Sequence, residues 1–212
     1  MVRNGLNNIA DNERLITVKG VAEKEVKADK VIWPVAFREV GNELYYLSNN
    51  VTTKNNLIVE FLKSNGIPAA DITVTPPDIL DTQAEPHMVN RPWYRYAVTS
   101  VVTVTSTDVD KVISLMLEQG TLLRQGVSLA GNNHKYKTTY EYSDMQSLEL
   151  ELITGAVNNA YAVADKLAQD TGSKLSKVKD ITHEFTLTDR DPNSSYIKRA
   201  RIVSTVNYKL KN

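Results

Sequence analysis

Trp93-Tyr94-Arg95-Tyr96-Ala97-Val98-Thr99-Ser100-Val101-Val102-Thr103-Val104-Thr105-Ser106 is the clearest strand in the chain. Tyr94, Tyr96, Val98, Ser100, Val102 and Val104 alternate with Arg95, Ala97, Thr99, Val101, Thr103 and Thr105, the period-two pattern of a strand. Thr107-Asp108 follows as an N-cap for a short helix over Val109, Val112, Ile113, Leu115, Met116 and Leu117, stopped at Gly120.

Upstream of this strand, Thr82 to Pro92 is polar and loop-like, and Asp71 to Leu80 is a β-branched run broken by Pro76-Pro77. A proline lacks the ladder donor, so that run predicts an edge or bent strand. A helix is expected from Asn42 to Ser64, its apolar stripe made of Leu44, Leu47, Val51, Ile58, Phe61 and Leu62. Asn65-Gly66 supplies a left-handed stop and Pro68 forbids resumption. Earlier still, Thr17 to Gly20 and Lys30 to Val40 read as strands, the second alternating Val31, Trp33, Val35 and Phe37 around Pro34. Glu23 to Lys27 between them fits a solvated turn or an exposed strand, and Gly41 turns the second strand into the helix.

Downstream, Gly126 to Met145 reads as a further strand, with His134, Tyr136, Thr138, Tyr140 and Tyr142 on one face. Ser143 and Gln146 have capping-box spacing for the longest helix, which closes at Thr171-Gly172. Its core stripe is Leu148, Leu152, Ala156, Ala160, Val163 and Leu167, and Gly155, Ala156, Ala160 and Ala164 let it lie close to a sheet or helix. Lys177 to Thr188 and Tyr196 to Leu210 are closing strands joined through Asp189 to Asn193. Strands joined directly pair antiparallel. The order β-β-α-β-β-α-β-α-β-β therefore predicts an α+β fold, mainly antiparallel sheets with about three helices packed on them. No internal sequence repeat is visible.

Composition bounds the function. Of 212 residues 42% are hydrophobic and 24% charged, enough to bury a core. Lys+Arg and Asp+Glu balance at 25 each, so no global field recruits nucleic acid or anionic lipid. Zero cysteines removes disulfides, thiolate catalysis, Fe–S clusters and Cys-based zinc sites, and suits an oxidising envelope compartment. No stretch approaches the roughly 18–20 apolar residues that span a bilayer. Residues 1–14 are too polar for a signal peptide, so either the protein is cytosolic or the chain starts after a removed signal or anchor, and they read as a tail or tether.

The residues Ile16-Thr17-Val18-Lys19-Gly20-Val21-Ala22, Val26 to Asp29, Val31-Ile32-Trp33-Pro34-Val35, and a helix closing on Asn65-Gly66-Ile67-Pro68 occur in that order. They are followed by Tyr94 to Val104, Ala156 to Ala168 and Gly172 to Val178. Taken together, from about Leu15 to Leu210, this order resembles the SIMPL domain family, long catalogued as a domain of unknown function. The resemblance implies an α+β domain exported to the bacterial periplasm or cell envelope behind a signal peptide or anchor. It implies one SIMPL-like domain over 15–212, within which the sequence allows a subdomain division near 106–125. Relatives include a periplasmic immunogenic protein that forms a ring-like oligomer and a protein associated with oxidative-stress defence. The family has no accepted catalytic residues, so the resemblance assigns none here. The hydrophobic signal of the family does not occur in this chain, so the export expectation presumes that a signal or anchor has been removed.

Candidate chemistry is sparse. His87, His134 and His183 are each alone, with no second histidine at ligand spacing. Asp78, Asp81 and Glu85 form an acidic group beside prolines, but their spacing fits no calcium loop. Ser128, within Gly126 to Gly131, lacks the Gly-x-Ser-x-Gly spacing of a nucleophile elbow, and that stretch reads as the bent start of a strand. No catalytic, metal or cofactor residues are assigned. The aromatic residues Tyr136, Tyr140 and Tyr142 read first as one buried sheet face. With Trp93, Tyr94 and Tyr96 they read second as a ligand strip or a self-association surface. The expectation is a non-enzymatic envelope protein acting through homo-oligomeric assembly or binding to an envelope protein, with a role in oxidative or envelope stress. It would contact a membrane only through a removed signal or anchor. The alternatives are an enzyme whose site is assembled from distant residues, sought near Thr82 to Pro92 and His134, and a ligand-binding module with an apolar cavity lined by Tyr and Trp.

Overall fold

The computed structural model describes residues 14–84, 92–130 and 134–211. The chain folds into two compact units, Lys27–Ser143 and a second made of the chain up to Val26 together with Asp144 onward. The segment 106–125 lies inside the first unit. The fold is α+β, with strands β1 Leu15–Lys27, β2 Lys30–Gly41, β3 Ile72–Val74, β4 Asp78–Asp81, β5 Tyr96–Ser106, β6 Thr139–Glu141, β7 Lys174–Asp189 and β8 Ile197–Lys211. The helices are α1 Leu44–Ser64, α2 Val109–Glu118, α3 Gly120–Arg124 and α4 Met145–Asp170.

In the 27–143 unit β2 and β5 pair antiparallel along their whole length, from Val31 opposite Ser106 to Gly41 opposite Tyr96. The outer side of β5 is covered by β3 and then β4, one edge split by Pro76-Pro77 as the prolines require. Thr75 bridges the split by donating its N–H to Val101 O at 3.1 Å. Alternation buries Val31, Trp33, Val35 and Phe37 on β2 with Val98, Ser100, Val102 and Val104 on β5, and α1 packs on these two strands. Leu47, Val51, Ile58, Phe61 and Leu62 supply the buried face of α1. Leu44, in the first turn, is exposed and does not join it. Gly66, at φ +83°, ends α1, with Gly66 N–H donated to Lys63 O and Ile67 N–H to Leu62 O. Asp108 caps α2 by accepting from Lys111 N at 3.1 Å. Gly120 does not stop the helical path: it opens α3, and Gly126 at φ +84° terminates it.

The expected strand over Gly126 to Met145 is mostly absent from the described residues. Only β6 pairs with β2, opposite Lys30–Ile32, and Leu129 makes one bridge to Phe37. Between these contacts, at Trp33–Val35, β2 has β5 on one side and, among the described residues, no strand on the other. Pro34 is tolerated in a central strand because it falls in that gap.

The second unit is a three-stranded sheet, ordered β1-β8-β7, with α4 across it. β1 meets β8 antiparallel: Leu210 N–H reaches Arg14 O, Thr17 bonds Asn207, and Glu23 and Glu25 pair with Arg201 and Arg199. Glu23 to Lys27 is thus strand rather than turn. The buried stripe of α4 runs at four-residue steps through Leu148, Leu152, Ala156, Ala160, Ala164 and Ala168. Val163 and Leu167, expected in that stripe, are exposed, because a step of four keeps to the alanines. The cap is Asp144, accepting from Ser147 N, rather than Ser143; the Ser143 hydroxyl and N–H are already taken by the carboxylate of Asp29.

Candidate functional site

The six aromatic residues singled out in sequence separate into two groups. Tyr96 lies opposite Gly41 at one end of β2, whereas Tyr140 lies opposite Val31 near the other. The strand between them holds these positions about 33 Å apart. They do not form one strip.

At the Gly41 end the chain makes a polar-locked corner. Thr82 is buried, donating its hydroxyl to Tyr94 O at 2.8 Å and its N–H to Arg95 O at 2.8 Å. Arg95 N–H donates to Asn42 Oδ1 at 2.9 Å, and the Arg95 guanidinium grips both oxygens of Asp81 at 3.0–3.3 Å. This hydrogen bond from Arg95 holds the Asp81 carboxyl below the ordinary aspartate value, against a lesser opposing effect of burial. Arg95 also sits 4.9 Å from the centroid of the Tyr96 ring. On this frame Trp93 stands edge-on to Tyr94 at 5.6 Å and is 78% exposed. The first turn of α1, which begins two residues past Asn42, adds Tyr45 and Tyr46, edge-on at 5.7 Å and 73% and 67% exposed. These two rings are missing from the candidates drawn from sequence. Their signal was there, since neither falls on the Leu47, Val51, Ile58 stripe that seats α1.

At the Val31 end the predicted ladder does not form a continuous face. Tyr136 sits in a single 3-10 turn, His134–Tyr136, and Tyr140 lies in a three-residue strand. Tyr136, Tyr140 and Tyr142 are all half-buried. The Tyr140 hydroxyl points at Met116 Sδ, 3.8 Å away, and Lys135 Nζ lies 5.5 Å from the Tyr136 ring. Beside the unpaired stretch of β2 a cavity of about 320 Å³ is lined by Trp33, Pro34, Met116, Gln119, Leu129 and Tyr136 with four neighbours. That volume is at the small end of ligand pockets.

The remaining candidates are dispersed. His87, Glu85 and the side chain of His134 lie outside the described residues. His183 is on β7, its Nδ1 2.8 Å from the buried Ser204 hydroxyl, which is a cross-strand structural bond. Asp78 faces Lys135 at 3.8 Å, and Asp81 is held by Arg95, so the acidic group is divided between two cations. Ser128 is exposed beside the bridge at Leu129. Among the described residues no three His, Asp or Glu side chains converge to hold a metal ion.

Two comparisons with known proteins bear on this arrangement. The model of the family described as SIMPL, protein of unknown function (DUF541), matches residues 16–204. No curated protein matches the chain.

Proposed function

The chain belongs to the SIMPL family, and from that premise we propose that it acts at the cell envelope through assembly or binding rather than through chemistry of its own. The observation that carries this reading is the aromatic corner, where Trp93, Tyr45 and Tyr46 stand exposed on a frame fixed by Asn42, Asp81, Thr82 and Arg95. Aromatic rings held rigidly on a surface lose little entropy on binding and contribute disproportionately to interface energy. Envelope location is supported by the family resemblance and by the absence of cysteine from all 212 residues. A contribution to oxidative- or envelope-stress defence would be indirect, through partners, since the chain has no cysteine and four methionines.

Light scattering over a concentration series tests the reading. The expected result is a discrete oligomer whose mass falls when Trp93→Ser or Tyr45→Ser removes a ring. A wild-type chain that stays monomeric at every concentration would sink self-assembly.

A second reading, a small-molecule binder, is favoured by the cavity at Trp33 and Tyr136. The chain has two tryptophans, so Trp93→Phe leaves Trp33 as the sole reporter. A saturable change of its fluorescence with an apolar aromatic probe is the expected sign of that role.

A further inference from the structure

Strand β7 is an edge: in the order β1-β8-β7 its outer N–H and C=O groups meet no strand among the described residues. It is 16 residues long, and all but Leu175, Ser176, Phe185 and Leu187 are exposed. Such an edge is a template for another strand unless it is blunted. Bulges, which twist an edge away, are confined to one end, between Leu175 and Val178 and between Val178 and Asp180. From Asp180 to Asp189 the ladder with β8 is unbroken.

The faces of β7 follow from its register. Val178, Ile181, His183 and Phe185 lie opposite Tyr208, Val206, Ser204 and Ile202, which are buried, so these four share the face that α4 covers on β8. On β7 the cover is incomplete, leaving Val178 44% and Ile181 39% exposed. Glu184 turns to the opposite face, as does Lys177, the neighbour of Val178. Neither Lys177 nor Glu184 has an ion-pair partner among the described residues.

We propose that β7 pairs antiparallel with β7 of a second copy about a two-fold axis at Ile181, merging two three-stranded sheets into one of six strands. This rests on the assembly reading, names a second copy as the partner, and adds a contact separate from the aromatic corner. A two-fold pair must match face to face, since a one-residue slip would set core-side residues against solvent-side ones. At Ile181 the match holds. Ile181 meets the partner's Ile181, and Asp180 meets the partner's Thr182. The bulges take Lys179 and one of Ser176 and Lys177 out of the ladder. With the half-buried Ser176 as the second, Val178 meets the partner's His183, Lys177 the partner's Glu184, and Leu175 the partner's Phe185. Symmetry makes the Lys177–Glu184 pair twice. Neighbouring centres are worse: Asp180 would oppose itself, Thr182 would set Asp180 against Glu184, and His183 would leave Lys177 opposite Thr188. Like charges directly opposite destabilise a ladder, and opposite charges support it.

The test uses the full chain, whose lack of cysteine gives a clean background. Opposed Cα atoms in an antiparallel pair lie about 4.5–5.5 Å apart, within disulfide reach. Ile181→Cys is therefore expected to form a covalent dimer under mild oxidation. Lys177→Glu and Glu184→Lys should each weaken self-association roughly tenfold, by setting two like pairs across the axis. Mixing the two variants, or combining both changes in one chain, should restore it, which a merely structural role for either residue would not produce. A wild-type oligomer that is indifferent to both reversals, with no covalent dimer from Ile181→Cys, overturns this contact while leaving the assembly reading standing. A wild-type monomer at all concentrations overturns both.

Discussion

The two units solve the packing of a helix on a sheet in opposite ways. Between Lys27 and Ser143 the core is built of large side chains, with Phe37, Ile58, Leu62, Leu122 and Val102 all fully buried. In the other unit α4 presents Ala156, Ala160, Ala164 and Ala168 to a sheet that it approaches closely at Gly20. A Cβ placed on Gly20 would stand 1.9 Å from Ala156 O and 2.5 Å from Ala160 N. Asn159 Nδ2 donates to Val21 O at 2.7 Å beside it, tying helix to strand where their backbones touch. The first core depends on volume that is filled and the second on volume that is withheld, so each should fail under the opposite substitution.

Trimming is expected to cost most in the first unit. Phe37→Ala leaves a void under α1 and should lower unfolding free energy by about 3–5 kcal/mol. Urea denaturation would read this, and a midpoint within error of wild type would remove Phe37 from the core. Addition is expected to cost next most, in the second unit. Gly20→Ala has backbone rather than a flexible side chain to displace, so a loss of about 3 kcal/mol is expected, at the upper end for overpacking. Should Gly20→Ala unfold at the same denaturant concentration as wild type, α4 does not lie as close to β1 as described, and the contrast between the units collapses.

The smallest effect concerns the corner that carries the exposed rings. Because Arg95 depresses the Asp81 carboxyl, the pair stabilises the fold above the unfolded aspartate value. That contribution is lost as pH falls through the lower folded value. Arg95→Met should therefore be less stable than wild type above about pH 4, the two converging in stronger acid. A difference that persists unchanged at about pH 2, well below the unfolded aspartate value, would mean that Arg95 acts through packing, not through Asp81.

Much of the fold was legible because its signals are local. The alternation of Val31 to Phe37 and of Tyr94 to Ser106 places two strands, Asn65-Gly66 and Gly172 end two helices, and Pro76-Pro77 splits an edge. The reading failed where a local pattern competed with a distant partner. His134 to Tyr142 alternates like a strand, yet only Thr139 to Glu141 pair, opposite Lys30–Ile32, while His134–Tyr136 winds into a 3-10 turn. Ser143 looks like a cap, but Asp29, 114 residues away in sequence, claims it first. Of the aromatic set, Trp93, Tyr94 and Tyr96 lie at one end of β5, and Tyr45 and Tyr46 come to that end because Gly41, opposite Tyr96, leads through Asn42 directly into α1.

From its residues alone the chain determined its alternating and amphipathic segments, their order, their antiparallel joins and the family they belong to, since periodicity and turn chemistry act over a few neighbours. Tertiary structure decided which glycine must lack a side chain, which aromatic rings stay in solvent, and which strand is left with an open edge. These depend on what lies across the sheet, and no local pattern in Gly20, Trp93 or β7 encodes the identity of the neighbour.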